Sequence, residues 1–173
     1  MVAINPTPTL SSLILGLQNV HAVENQALAL IDRQMDRLEN YPDLAARLRL
    51  HREETENQIV RVEDALGFFD ESPSRLKDTA LSIGGNLAAL GHTIAGDEIL
   101  KNSFANLAFE NYEAASYISL ITVAETSGHP NLIPALQTSL TEEQQMAAWV
   151  QESIPTITRR YLELEEAGAQ SSR

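Results

Sequence analysis

Seven acidic or imidazole side chains in this sequence are spaced for one kind of chemistry. Glu24, Glu54, Glu113 and Glu143 each occupy, or sit beside, a position where the surrounding helical pattern calls for an apolar residue. His21, His51 and Glu110 lie three residues before the first three of them. Side chains three apart on a helix share a face, so each pair can grip one ion, or two ions from one side. Buried together without compensation, four carboxylates would repel one another and lose their hydration. Bound divalent cations relieve this, as do raised pKa values with shared protons. A single glutamate near an apolar stripe can also simply escape to solvent at the edge of the helix.

The spacing favours a common level for the four glutamates. Positions 24 and 54 are centred on residue 39, and positions 113 and 143 on Gly128, where turns are expected. Each pair therefore lies about 15 residues from its turn, roughly 22 Å along a helix axis. Glu113 follows Glu24 by 89 residues, Glu143 follows Glu54 by 89, and the same offset carries His21 onto Glu110. The two halves read as a degenerate repeat.

Helices must position these groups. Leu10, Leu13, Leu17, Val20, Leu28, Ile31, Met35 and Leu38 recur at gaps of three and four or their sums, which predicts a helix over about 11–39 after an irregular arm at 1–9. Leu44, Leu48, His51, Thr55, Ile59, Val62, Leu66 and Phe69 predict a second over about 43–69. Leu100, Phe104, Leu107, Ala114, Ile118, Ile121 and Ala124 predict a third over about 98–126, closed by Ser127-Gly128-His129-Pro130. Leu132, Leu136, Leu140, Ala147 and Val150 predict a fourth over about 132–152. Pro155 is expected to kink or end it, leaving a short helix over about 156–167 and a polar tail at 168–173. Residues 70–97, thinned by Gly84, Gly85, Gly91 and Gly96, read as a crossover carrying a loosely held helix. Two tight hairpins joined by a long connection predict one all-α domain, an antiparallel four-helix bundle of ferritin-like layout.

Composition narrows the function. A net charge of −12 and a pI near 4.6 disfavour nucleic acid and anionic lipid as partners. There are no cysteines, so disulfides and thiolate chemistry are excluded. No stretch approaches the roughly 20 apolar residues of a membrane span, and the N-terminal run is too short for a signal sequence, so a cytoplasmic location is expected. Gly84-Gly85 lacks the lysine and strand of a phosphate loop, and no hydrolase nucleophile elbow is present. A phosphotransfer bundle would need an exposed histidine amid basic residues, whereas His21 and His51 are expected to face inward.

The segments His21-Ala-Val-Glu24-Asn-Gln26, His51-Arg-Glu-Glu54-Thr-Glu-Asn-Gln58 and Glu110-Asn-Tyr-Glu113-Ala-Ala-Ser-Tyr117 resemble bacterial ferritin-like stress proteins of the YciE/YciF type, over roughly residues 10–152. The resemblance implies a rubrerythrin-like bundle, a homodimer and a dimetal site, with Glu24, Glu54, Glu113 and Glu143 as its four helix-borne carboxylates. Glu110 with Glu113 resembles the paired glutamates of rubrerythrins. The sequence departs from the superfamily's Glu-x-x-His pattern, because Asn57 follows Glu54 and Met146 follows Glu143 at that spacing. His51 and His21 are the alternative imidazole donors. Tyr117 fits either a hydrogen-bond partner of a ligand or core packing, and Gln58 and Gln144 have the same two readings. Trp149 reads as core or dimer interface, and His92 and His129 as loop residues. Two functions are expected from this pattern. One is a protein binding two divalent ions, Fe or Mn, with oxidase or peroxide chemistry possible. The other is a non-enzymatic stress-related interaction protein on the same scaffold.

Overall fold

The computed structural model describes residues 7–70 and 97–171. The helix expected within 75–96, with its glycines and His92, lies outside the described residues. Four long helices account for most of the rest: α1 (Pro8–Met35), α2 (Pro42–Gly67), α3 (Glu98–Thr126) and α4 (Ile133–Glu166), with a 3-10 turn at Pro130–Leu132 before α4. The all-α bundle is as expected. No described helix is long and apolar enough to cross a membrane.

The helix ends follow local chemistry. α1 starts at Pro8, inside the expected arm, because the Thr7 hydroxyl accepts the Leu10 N–H at 3.3 Å and proline suits the first helical position. After α3, Gly128 takes φ +79°, its N–H reaches Glu125 O, and the His129 N–H reaches Ala124 O. That is a Schellman closure, which favours glycine because a Cβ is strained at positive φ.

Pro155 does not break the fourth helix. Proline inside a helix costs about 3 kcal/mol through a lost hydrogen bond and a ring clash. Beyond it, however, Ile157 and Leu164 are buried against Tyr41, Leu44 and Val150. Burying two such side chains contributes about 1.5–3 kcal/mol each, enough to offset the proline. Part of the polar tail docks as well: Tyr41 Oη donates to Ser171 O at 2.5 Å, and Asn40 Nδ2 to Gln170 O at 2.8 Å.

α1 packs against α2 and α3, and α4 against α3 and α2. Cross-bundle neighbours run in opposite directions, as Arg37 meeting Glu98 and Glu24 meeting Tyr117 show for α1 and α3. Two large apolar clusters fill the interior, and a small third one joins Val23 and Ala27 of α1 to Phe109 of α3. Of the large ones, one gathers Leu13, Leu17, Val62, Leu66, Leu120 and Leu136; the other gathers Ile31, Leu48, Ile99, Met146 and Val150. A polar layer lies between them.

Part of the inward face of α3 differs by one residue from the expected stripe, while Ala114 and Ala124 are buried as expected. Ile99, Ser103, Tyr117 and Leu120 are buried, whereas Phe104 and Ile118 are half exposed. On α2, Gln58 takes the buried place expected of Ile59. The pattern of bulky apolar residues misleads here because these faces carry the polar layer, and the helices turn to bring it inside.

Two of the glycines at helix ends make a test of the local argument. Gly128→Ala should lower stability by about 1 kcal/mol through its positive φ. Gly67→Ala, where a Cβ would meet nothing within 4 Å, should leave stability unchanged or raise it by up to about 1 kcal/mol. Urea unfolding of the two variants beside the parent checks the contrast.

Candidate metal centre

The polar layer is assembled from all four helices. α1 contributes Glu24; α2 contributes His51, Thr55 and Gln58; α3 contributes Glu110, Glu113 and Tyr117; α4 contributes Ser139 and Glu143. All are buried. On α2 the inward gaps run 44, 48, 51, 55, 58, 62, so His51, Thr55 and Gln58 lie on the seam by the same periodicity that buries Leu48 and Val62.

His51 is central. Its Nε2 lies 3.0 Å from Glu110 Oε2 and 3.9 Å from Glu143 Oε2, while its Nδ1 is 2.9 Å from Glu54 Oε2. One donor atom from each of His51, Glu110 and Glu143 falls within 4.8 Å of the other two, and all three residues are buried. Glu24 Oε1 accepts a 2.5 Å hydrogen bond from Tyr117 Oη, and Glu143 Oε1 accepts one of 2.5 Å from Gln58 Nε2.

Seven buried side-chain atoms in this layer form no hydrogen bond: Glu24 Oε2, His51 Nε2, Gln58 Oε1, Glu110 Oε2, both oxygens of Glu113, and Glu143 Oε2, although His51 Nε2 is within ion-pair distance of Glu110 Oε2 and Glu143 Oε2. Among the described residues such atoms occur only here. A buried polar group without a partner costs about 1–3 kcal/mol, and more when charged. Five of the seven are carboxyl oxygens, which become negatively charged when their protons leave. Hard oxygen donors with one imidazole nitrogen suit a divalent cation of the Fe, Mn or Mg type better than Cu(I), which prefers sulfur. The residues present therefore fit a bound metal.

Burial dominates the acid–base behaviour of the metal-free layer. It pushes the Glu24 carboxyl up to about 8, against the opposing pull of the Tyr117 hydrogen bond and His51. Burial also raises Glu113 and Glu143 well above the usual carboxylate range, reinforced at Glu113 by Glu143 and at Glu143 by Glu110. For His51 burial alone would lower the pKa, but the Glu110 carboxylate and the Glu54 hydrogen bond outweigh it and bring the ring to about 10. Glu54 moves the other way. Its partial burial is outweighed by hydrogen bonds from His51 and Arg47, which hold it below the usual range.

The expected ligand set is thus partly brought together. Glu24, Glu110, Glu113, Glu143 and His51 meet in the layer. Glu54 does not join them on the seam: it is bound by Arg47 Nη1 at 2.9 Å and touches only the far nitrogen of His51. His21 is also elsewhere, its Nε2 3.0 Å from Glu63 Oε1 at the side of the bundle. The 89-residue offset therefore holds in space for Glu24 and Glu113 and fails for the other two pairs. Thr55, not Glu54, holds the buried position on α2.

Gln58 and Tyr117 contact the glutamates directly, whereas Gln144 is exposed. Arg47, whose spacing among acids and apolar residues reads as a solvated helix face, is instead only 11% exposed and paired with Glu54, and the pair Arg61–Glu142 had no expected role. Arg61 Nη1 lies 2.6 Å from Glu142 Oε2, which also accepts from Gln58 Nε2 at 3.0 Å. Arg47 stands about two turns before Glu54 on one face of α2, which is the sequence signal for their pairing.

Stability of the metal-free protein should fall as pH rises from about 5 to 8. Carboxyls whose folded pKa is raised bind protons more tightly in the folded chain, so unfolding in this window releases protons. His51 acts in the same direction, its contribution complete below its unfolded pKa and lost as pH climbs toward 10. Glu54 opposes this only below about pH 4.5, where its lowered pKa makes acid destabilising. Thermal melts in chelator across pH 4–9 should place the maximum in mildly acidic buffer. A midpoint rising steadily from pH 5 to 8 would contradict the assignment.

Known proteins share this architecture. A solved structure from Xanthomonas campestris pv. campestris is 27% identical, with a TM-score of 0.75 over 90% of this chain and 97% of the other. YcfI from Rhodopseudomonas palustris is 23% identical, with a TM-score of 0.66 over 87% of this chain and 98% of the other, a likeness of fold. A family model described as "Domain of unknown function (DUF892)" matches residues 10–163. This four-helix chain, with its buried His–Glu layer, belongs to the DUF892 family.

Proposed function

We propose that this chain is a ferritin-like metal–carboxylate protein, akin to the YciE/YciF stress proteins, that holds Fe or Mn in the polar layer. The observation that carries the reading is the confinement of seven buried polar atoms without a hydrogen bond to one layer, on residues with metal-binding chemistry. His51, Glu110 and Glu143 would hold one ion, and Glu24 and Glu113 would complete a site for a second. Bound iron or manganese would supply electron exchange with dioxygen or peroxide.

The chain's own contribution is positional and electrostatic. Tyr117 fixes one oxygen of Glu24 and Gln58 fixes one oxygen of Glu143, leaving the other oxygen of each without a protein donor. The apolar clusters above and below keep water from the carboxylates, which strengthens their attraction for a cation. A cytoplasmic homodimer fits the same reading: Phe104, Tyr112 and Ile118 leave apolar surface on the outer side of α3.

One observation favours a second reading, a non-enzymatic interaction protein with a metal-free layer. Met146 is fully buried in an apolar cluster and Asn57 is exposed, so neither position supplies the imidazole of the superfamily pattern. The carboxyls would then stay protonated and share hydrogens.

Metal analysis separates the two. After anaerobic Fe(II) loading and desalting, the parent should retain about two ions per chain. Its melting midpoint should rise by roughly 5–10 °C at a hundredfold excess of free ion over Kd. A Glu110→Ala, Glu143→Ala double variant should lose both the ions and the shift. Equal metal content in parent and variant would overturn the metal reading.

A further inference from the structure

Glu54 lies beside the candidate ligands and yet is arranged unlike them. Its Oε2 accepts from His51 Nδ1 and from Arg47 Nη1, both at 2.9 Å. The two ring nitrogens of an imidazole point away from each other, so a carboxylate bonded to Nδ1 stands on the far side of the ring from anything at Nε2. Nε2 is the atom that faces Glu110 and Glu143. The three-residue group whose donor atoms converge leaves Glu54 out. The same Glu54 oxygen also faces the Arg47 guanidinium, which would repel a cation there.

Resting on the metal-site reading above, we propose that Glu54 is a positioning residue and not a metal ligand. Its carboxylate holds the proton of His51 on Nδ1, so that the proton a metal displaces is the one on Nε2, the nitrogen turned toward Glu110 and Glu143, while Arg47 clamps Glu54 in place. The device is built into one helix. Glu54 lies three residues after His51 and seven after Arg47, so one face of α2 carries all three groups. A carboxylate on the second nitrogen of a ligating histidine fixes its tautomer and ring angle and makes the ligand more basic.

The test uses the full chain with Zn(II) as a diamagnetic probe. In the parent, nitrogen-15 NMR of His51 should show a proton retained on Nδ1 and the metal on Nε2. Glu54→Ala should keep the parent's number of bound ions while weakening Zn(II) binding about 10–100-fold, with the Nδ1 proton exchanging fast. Glu54→Gln, which keeps an acceptor oxygen, should recover part of that affinity and of the Nδ1 protection, a rescue that general packing does not predict. Glu110→Ala should weaken metal binding and leave the Nδ1 proton protected.

Loss of one ion per chain in Glu54→Ala, or in Glu54→Gln if the alanine variant does not fold, would make Glu54 a ligand and overturn the proposal. Parent-like affinity and parent-like Nδ1 exchange in both variants would also overturn it. A parent that protects the Nδ1 proton but takes up no Zn(II) would overturn the metal reading, leaving Glu54 as a structural partner of His51 alone.

Discussion

Everything distinctive about this bundle follows from burying four carboxyl groups and one imidazole between two apolar clusters. Glu24, Glu110, Glu113 and Glu143 are each at most 5% exposed, and His51 is the cationic partner among them. Taking a charge out of water costs several kcal/mol even after relaxation. Four such charges left uncompensated would exceed the 5–15 kcal/mol by which a folded domain is stable. The layer must therefore be neutralised, by protons on the carboxyls or by cations between them. The raised pKa values of Glu24, Glu113 and Glu143 and the unpartnered oxygens of the same residues are two expressions of that one constraint.

Around the layer, two arginine–carboxylate pairs form its edge. Arg47 meets Glu54 behind His51, and Arg61 meets Glu142 behind Gln58, which in turn holds Glu143. In a chain of net charge −12 these cations are scarce, yet both come from α2. Each orients a side chain that touches the buried groups without entering the seam itself. The inner shell is thus acidic and unpartnered, and the outer shell is paired and ionised. That division suits a site in which a few atoms must remain free while their supports stay rigid.

The two hairpins are not equivalent in this arrangement. α1 and α3 present Glu24 and Glu113 at matching positions, each buried at the middle of its helix. α2 and α4 are out of step: α4 brings Glu143 inward, while α2 brings His51, Thr55 and Gln58. One imidazole thereby replaces one carboxylate at the centre, which lowers the negative charge the layer must neutralise. The helix that gives up its glutamate gains the residue that faces two others.

Periodicity in the sequence determined the helices, their antiparallel pairing about the turns near 39 and 128, and the burial of Glu24, Glu113 and Glu143. These depend on local geometry, because a 3.6-residue repeat assigns each side chain to a face. Residues 10–17 and 132–150 behaved as their apolar spacing implied. Rotation of each helix about its own axis was decided only in the folded chain. A shift of one residue moved Phe104 and Ile118 outward and Ser103 and Tyr117 inward, and placed Glu54 beside the seam. The continuation of α4 past Pro155 was likewise tertiary, since it depends on Ile157 and Leu164 reaching a surface built largely by residues 31–48, far away in the sequence. Spacing along one helix determines which side chains share a face; which face turns inward depends on what the other three helices bring to meet it.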